Sequence, residues 1–289
     1  MGPSTLARPG CKGSFTSMDT ETTGAPLPGA ALTADRMPGH WLLARLGKRV
    51  LRPGGRELTQ QILAGLAIGP GDDVVEMAPG LGATTRLVLD RNPASYTGVD
   101  RDPDAAGRVG DLLDGPNRQV VNASATDTGL EADRADVLFG EAYLTMQPDS
   151  LKERVVTEAA RVLRPGGRFA LHEVAFAPDD IDDARRESVA RALTGTIKVN
   201  VTPLTVAGWD DLLTRHGFEV TDRFRAPLHL LEPRRLIADE GLAGAARFVL
   251  NVLRDSDARR RVLAMRGAMR ANAANLQAYG LVAVRRDGA

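Results

Sequence analysis

The stretch Val74-Val75-Glu76-Met77-Ala78-Pro79-Gly80-Leu81-Gly82-Ala83-Thr84-Thr85 reads as an apolar strand that ends in a glycine turn and passes directly into a helix. Glycines at 80 and 82 let the backbone approach a ligand closely, and the unpaired N–H groups of the helix start face the same point. Asp100 closes the next strand, Tyr96-Thr97-Gly98-Val99-Asp100, at the spacing where an acidic residue meets the hydroxyls of a ribose. A nucleoside-containing cofactor is therefore expected over the turn. A dinucleotide fingerprint would carry glycine where Thr85 stands, and Glu76 would repel a pyrophosphate but suit an ammonium or sulfonium group. An NAD-linked oxidoreductase is the weaker alternative on both counts.

Outward from this stretch, short apolar runs alternate with helical periodicity. After the strand at 73–76 come a helix near 84–90, a strand at 96–100, a helix near 103–113 and a strand at 119–121. A strand at 136–140, a helix at 150–163 and a strand at 168–174 follow. Strands separated by helices predict an α/β fold, a Rossmann-like, doubly wound and mostly parallel sheet. Amphipathic helices over 178–193 and 206–216 precede two last strands at 218–224 and 281–284, giving seven strands with the last one antiparallel. Residues 232–278 between those strands form a helical insertion or cap, because a connection of that length usually has its own function. Two helices, over 41–50 and 57–66, lead into the core and are separated by Arg52-Pro53-Gly54-Gly55.

The expected layout is a disordered leader over 1–36, rich in Gly, Pro, Ser and Thr, and a single domain over 37–289. Within it, 37–70 holds the leading helices, 71–226 the cofactor-binding core and 280–286 the final strand. Thirty-seven basic and 37 acidic residues cancel, so no global field draws the chain to nucleic acid or to a membrane surface. The one cysteine, Cys11, cannot form an internal disulfide, and no apolar run is long enough to cross a bilayer, so a cytoplasmic protein without membrane contact is expected.

Val74 to Gly82 resembles the first motif of class I S-adenosylmethionine-dependent methyltransferases, with Ala78 where many members have a glycine. Tyr96 to Asp100 resembles their second motif. Arg161-Val162-Leu163-Arg164-Pro165-Gly166-Gly167-Arg168 resembles the helix, Pro-Gly-Gly turn and fifth strand of the small-molecule methyltransferase group. The resemblance implies S-adenosyl-L-methionine as cofactor, held by Glu76, Ala78, Pro79, Gly80, Gly82, Asp100, Arg101, Ser124, Ala125 and Glu141, with Asp100 on the ribose. Ser124 stands where many members carry an aspartate for the adenine amino group.

In such a sheet the reacting centre lies beyond the ends of the fourth and fifth strands, which makes Glu141 and His172 the catalytic candidates. His172 is the expected general base if the acceptor must lose a proton, and Glu141 would orient the cofactor or the acceptor. His172 and Glu173 are consecutive in a strand and face opposite sides, so they do not share a metal, and no metal site is expected. His40, His216 and His229 are expected at the surface or as caps.

The Pro-Pro-aromatic turn of amino-methylating DNA enzymes is absent from Glu141-Ala142-Tyr143, which disfavours DNA. RNA is disfavoured by an aromatic content of 4%. Seven arginines against two aspartates over 247–270 read as a solvated helix face; Trp41, Met265 and Met269 could close over a small molecule, while the Met pair reads first as core. The expected activity is methyl transfer to an O, N, S or C nucleophile of a small metabolite. A noncatalytic module that senses the cofactor is the alternative, and a homodimer is compatible with the sequence.

Overall fold

The computed structural model describes residues 27–286. Cys11 and most of the expected leader lie outside them. Residues 27–36, expected to belong to that leader, instead form turns in which Ala34 is buried and its carbonyl is held by the Arg261 guanidinium.

The alternating pattern folds as expected around one sheet. In chain order the core elements are β1 (Asp73–Met77), α3 (Ala83–Leu89), β2 (Ser95–Asp100), α4 (Pro103–Gly110), β3 (Arg118–Asn122), β4 (Ala135–Glu141), α5 (Asp149–Val162) and β5 (Leu163–Phe176). The leading helices are α1 (Gly39–Arg45) and α2 (Gly55–Gly65), and after β5 come α6 (Asp183–Ile197), β6 (Leu204–Thr205), α7 (Val206–Arg215) and β7 (Phe218–Pro227). The insertion is α8 (Pro233–Arg254), α9 (Ser256–Ala271) and a 3-10 turn, before β8 (Leu276–Arg285). The sheet has eight strands rather than seven, ordered β3-β2-β1-β4-β5-β8-β7, with the two-residue β6 added beside β5. β8 begins at Leu276, not at 280, because it pairs antiparallel with the full outer half of β5, from Arg168–Val284 to Phe176–Leu276.

Strand order reverses between β1 and β4, so their helices leave on opposite faces and a crevice opens at the carboxyl ends. Cores fill both faces. Trp209, Leu212, Val156 and Phe169 pack under α5 and α7, and Leu58, Ile62, Tyr96 and Val282 under α2 and α4. A third cluster, including Leu42, Val189, Phe248 and Met265, joins α1, α6, α8 and α9 into a cap above the crevice. The expected Pro-Gly-Gly turn is a bulge at the start of β5. Gly166 adopts φ +74°, the register against β4 slips between Ala135 and Val137, and a side chain on Gly167 would meet the Arg164 carbonyl at 2.8 Å.

An enclosed ion cluster anchors the cap to the leading helices. α8 kinks at Gly241, φ 73° and ψ 171°, a conformation that only glycine adopts easily. Just before the kink, Asp239 and Glu240 face Lys48, whose Nζ lies 3.4 Å from Asp239 Oδ2 and 3.6 Å from Glu240 Oε1. Glu240 also accepts the Arg49 and Val50 N–H groups, each at 2.9 Å, and Asp239 that of Arg56 at 3.1 Å. Burial lowers the Lys48 pKa, opposed by the two carboxylates. Lys48→Met would strand the acids without their cation, so a loss of about 3 kcal/mol in urea unfolding is expected. An unchanged unfolding midpoint and slope would contradict this role.

Candidate functional site

The carboxyl ends of β1, β2 and β4 border a cavity of about 680 Å³ that runs from the glycine turn up beneath the cap. That size is ordinary for a small-molecule site, about 300–1,000 Å³. A wider concavity of about 890 Å³, lined by Arg234, Arg235, Arg266 and Arg270, opens beside α8 and shares the wall residues Leu228, Leu230 and Met269. It contains no strand end, and Arg266 and Arg270 are paired there with Glu232, so the chemistry is assigned to the first cavity.

At the turn, Ala78 takes φ +53° and donates its N–H to the Val99 carbonyl at 2.8 Å, which locks the exit of β1 against β2. A left-handed alanine costs about 1–2 kcal/mol, which accounts for the glycine common at this position. Gly80 adopts φ +57°, and a methyl group built on it would find nothing nearer than 3.9 Å, so the backbone is open to a ligand. Its N–H donates to Asp100 Oδ2 at 3.2 Å, while Asp102 N–H donates to Oδ1 at 3.0 Å. Each oxygen keeps a lone-pair direction for a further donor. Burial raises the Asp100 pKa, partly offset by those two N–H groups.

Pro79, Ala78, Arg101, Ser124 and Ala125 border the same end of the cavity. Ser124 is exposed and its hydroxyl pairs with Thr126 Oγ1 at 2.8 Å. Gly82 departs from expectation. It faces away from the cavity, because a side chain there would strike Leu112 Cδ1 at 2.3 Å, so its φ of +69° serves the packing of α3 on α4.

Three glutamates border the cavity, Glu76 and Glu173 buried and Glu141 nearly so, and their neighbours separate them. Glu76 accepts from Tyr96 at 2.6 Å and from Thr85 at 2.8 Å, yet burial dominates and pushes its pKa up to about 7. Glu141 is nearly as enclosed but held down to about 2. The Arg52 guanidinium at 3.3 Å, the His172 ring at 2.7 Å and the Thr59 hydroxyl at 2.6 Å outweigh its desolvation, and the Thr84 hydroxyl donates to the same carboxylate. Glu173 is spent on the loop after β4. It accepts the N–H groups of Tyr143, Leu144 and Thr145 and the Thr145 hydroxyl, at 2.7–3.1 Å.

His172 does not reach the cavity. Its ring is fully buried, with Nδ1 on Glu141 and Nε2 on the Pro53 carbonyl. Both ring nitrogens are engaged by protein oxygens, and the side chain does not line the cavity, so it does not face an acceptor held there. The expectation of a general base at His172 is corrected on this ground: the ring braces Glu141 and the segment before α2. As expected, Glu173 points to the opposite face of β5.

His40, expected at the surface or as a cap, lines the cavity instead, with its ring centroid 4.7 Å from that of Trp41. Its environment is apolar, and burial lowers its pKa to about 4. Trp41 in turn stands over the glycine turn, with Cη2 4.0 Å from a methyl built on Gly80. Sequence reasoning missed Arg52, Thr59 and Thr84 as site residues. Arg52 was visible only as part of a helix break, and a hydroxyl in a helix carries no signal until a distant carboxylate is known. No group of three or more metal-ligating side chains forms among the described residues.

Glu76 provides a test of this electrostatic picture. Its pKa in the fold lies above its ordinary value of 4.5, so the folded chain keeps a proton that the unfolded chain has released, and stability falls as pH rises from about 4.5 through 7. Glu76→Gln removes that loss. The variant is expected to gain about 3 kcal/mol on the wild type between pH 4.5 and pH 8 in urea unfolding. Parallel stability curves would contradict the shift.

Comparison with known proteins agrees with this architecture. A family model described as a methyltransferase domain matches residues 74–167, from β1 through the bulge of β5. A protein of Haemophilus influenzae described as uncharacterized is 31% identical over 220 residues, 75% of this chain and 86% of that protein. An uncharacterized methyltransferase of Synechocystis sp. is 30% identical over 133 residues, 45% of this chain and 61% of that protein. Among solved structures, the phosphoethanolamine N-methyltransferase 2 of Haemonchus contortus, in complex with phosphomonomethylethanolamine and S-adenosylhomocysteine, superposes with a TM-score of 0.65. It shares 13% identity over 86% of this chain and 58% of that chain.

Proposed function

We propose that this chain is a class I S-adenosylmethionine-dependent methyltransferase, a reading supported by the methyltransferase-domain match over residues 74–167, and that it methylates an O, N, S or C nucleophile of a small metabolite held beneath the cap. The observation that carries this reading is the continuity of the cavity. Asp100 and the bare backbone of Gly80 lie at one end, and apolar cap residues such as Leu193, Ile197, Met265 and Met269 at the other.

When bound, the cofactor supplies an electrophilic methyl group on a sulfonium. Asp100 receives the ribose hydroxyls on its free lone pairs, and Gly80 lets the backbone approach without a side chain in the way. Glu141, kept ionised by Arg52 and His172, and Glu76 present negative character to a cationic donor. The walls exclude water and align the acceptor, which is the main requirement of an in-line displacement. His172 acts as a positioning residue behind Glu141. How the adenine is held is read as backbone and hydroxyl contact near Ser124 and Ala125.

Nucleic acid is disfavoured as acceptor. The cap closes the cavity from above, and several arginines of α9 are engaged, Arg266 and Arg270 with Glu232 and Arg261 with backbone carbonyls of residues 34 and 37. No helix among the described residues is long and apolar enough to cross a membrane. A cytoplasmic location and a homodimer remain part of the proposal.

Asp100→Ala is expected to weaken S-adenosylhomocysteine binding by about 1–3 kcal/mol in calorimetry, because two hydrogen bonds to a buried carboxylate are lost. An unchanged dissociation constant contradicts the ribose assignment. Incubating the protein with methyl-labelled donor and a cell extract is expected to put label in the small-molecule fraction. Label confined to protein or nucleic acid would contradict the proposed acceptor class, and binding without turnover would favour a sensing module.

A further inference from the structure

Among the histidines, His172 and His216 spend both ring nitrogens on protein oxygens. His40 does not. Its Nδ1 is closed off from water with no hydrogen-bond partner, and neither ring nitrogen has a protein partner among the described residues. The ring sits on the wall of the cavity, beside the Trp41 indole that covers the glycine turn. A buried polar group left unsatisfied is costly, about 1–3 kcal/mol, and Nε2, which has no protein partner and is not closed off, is the ring nitrogen that a ligand in the cavity can reach.

The charges around the acceptor end narrow what that ligand is. Glu173 has its carboxylate filled by four donors from the loop after β4, and Glu141 is filled by Arg52, His172, Thr59 and Thr84. With Glu76 beneath the glycine turn at the cofactor end, a cationic acceptor would find no free carboxylate from β4 or β5. Of the nearby arginines, Arg52 is bound to Glu141, and the Arg49 side chain is 70% exposed with its guanidinium 3.9 Å from Glu240. An anionic acceptor would find no dedicated cation. What is left is a largely apolar chamber, walled by Leu43, Leu193, Ile197, Val199 and Met265, with the His40 ring among its few uncharged polar groups.

We propose that His40 is the acceptor-recognition residue, hydrogen-bonding the hydroxyl of a neutral, otherwise apolar acceptor such as an aryl or alkyl alcohol. The inference rests on the methyltransferase reading of the same cavity. A neutral imidazole has one N–H nitrogen and one lone-pair nitrogen, so depending on its tautomer the nitrogen facing the ligand donates to or accepts from a hydroxyl. It discriminates strongly against an analogue without one, which would leave the ring unpaired.

The test uses the full chain loaded with S-adenosylhomocysteine, with 1-naphthol and naphthalene as probes in equilibrium dialysis. The preference for 1-naphthol is expected to be about tenfold larger in the wild type than in His40→Phe, as one net hydrogen bond implies. His40→Gln, which keeps a donor and an acceptor, is expected to retain part of it. In ¹⁵N spectra of histidine-labelled protein, the ring signal missing from both variants should shift on adding 1-naphthol and stay in place with naphthalene. Equal preferences in wild type and His40→Phe, an unmoved His40 signal, or no binding of either probe overturns the proposal. Calorimetry of S-adenosylhomocysteine on the same samples separates the two levels. Its binding with no hydroxyl preference sinks His40 alone, and its absence in the wild type sinks the underlying reading as well.

Discussion

The site depends on one enclosed carboxylate. Glu141 ends β4, and its two oxygens receive Arg52 and Thr59 from the leading segment, Thr84 from the start of α3 and His172 from β5. A buried charge without partners is very costly, and a pair in which one partner is lost leaves the other uncompensated. Four segments far apart in sequence must therefore meet at this point for the fold to close. Once they do, the break at Arg52-Pro53-Gly54-Gly55 is fixed against the sheet. α1 can then reach across to set Trp41 over the turn and His40 on the cavity wall. The cap is tied to the same leading segment by Lys48, Asp239 and Glu240. The two ion clusters thus define the roof of the cavity from both sides.

Burial alone does not set the chemistry of these acids. Glu76, Glu141 and Glu173 are all shielded from water, yet two are pushed up and one is held down. Hydroxyl and N–H donors offset only part of the desolvation of Glu76 and Glu173, whereas a guanidinium in contact with Glu141 reverses it. A carboxylate that titrates near neutrality beneath the glycine turn is poised to respond to a cationic ligand, because an approaching positive charge favours its ionised form. The ionised Glu141 keeps its charge throughout.

Much of the scaffold was legible in the chain. β1, β2 and β4 fall within a residue or two of the expected runs, because a parallel strand covered on both faces must be apolar along its length. Asp100 and Gly80 were also legible, because each answers a local requirement: an acid at a strand tip, and a backbone with no side chain. Gly82 shows the limit, since a left-handed glycine looks the same whether it makes room for a ligand or for Leu112. His172 and His40 were exchanged for a related reason. Position at a strand end suggests reach into a crevice, but ring direction is decided by partners such as Pro53 that only the tertiary fold supplies. His40 precedes the core in sequence and enters the site through α1, whose docking depends on contacts that local pattern does not encode. The eighth strand was missed because two residues carry no periodicity.

In the proposed complex a nucleoside sulfonium rests on the bend between β1 and α3, with its ribose on Asp100 and its reactive end under α1. The most direct measurement is a crystal structure of the full chain grown with S-adenosylhomocysteine. The account predicts density along the carboxyl ends of β1 and β2, with both ribose hydroxyls within hydrogen-bond distance of Asp100 and the sulfur facing the chamber beneath the cap. Density for the nucleoside elsewhere, or a ribose turned away from Asp100, would contradict it.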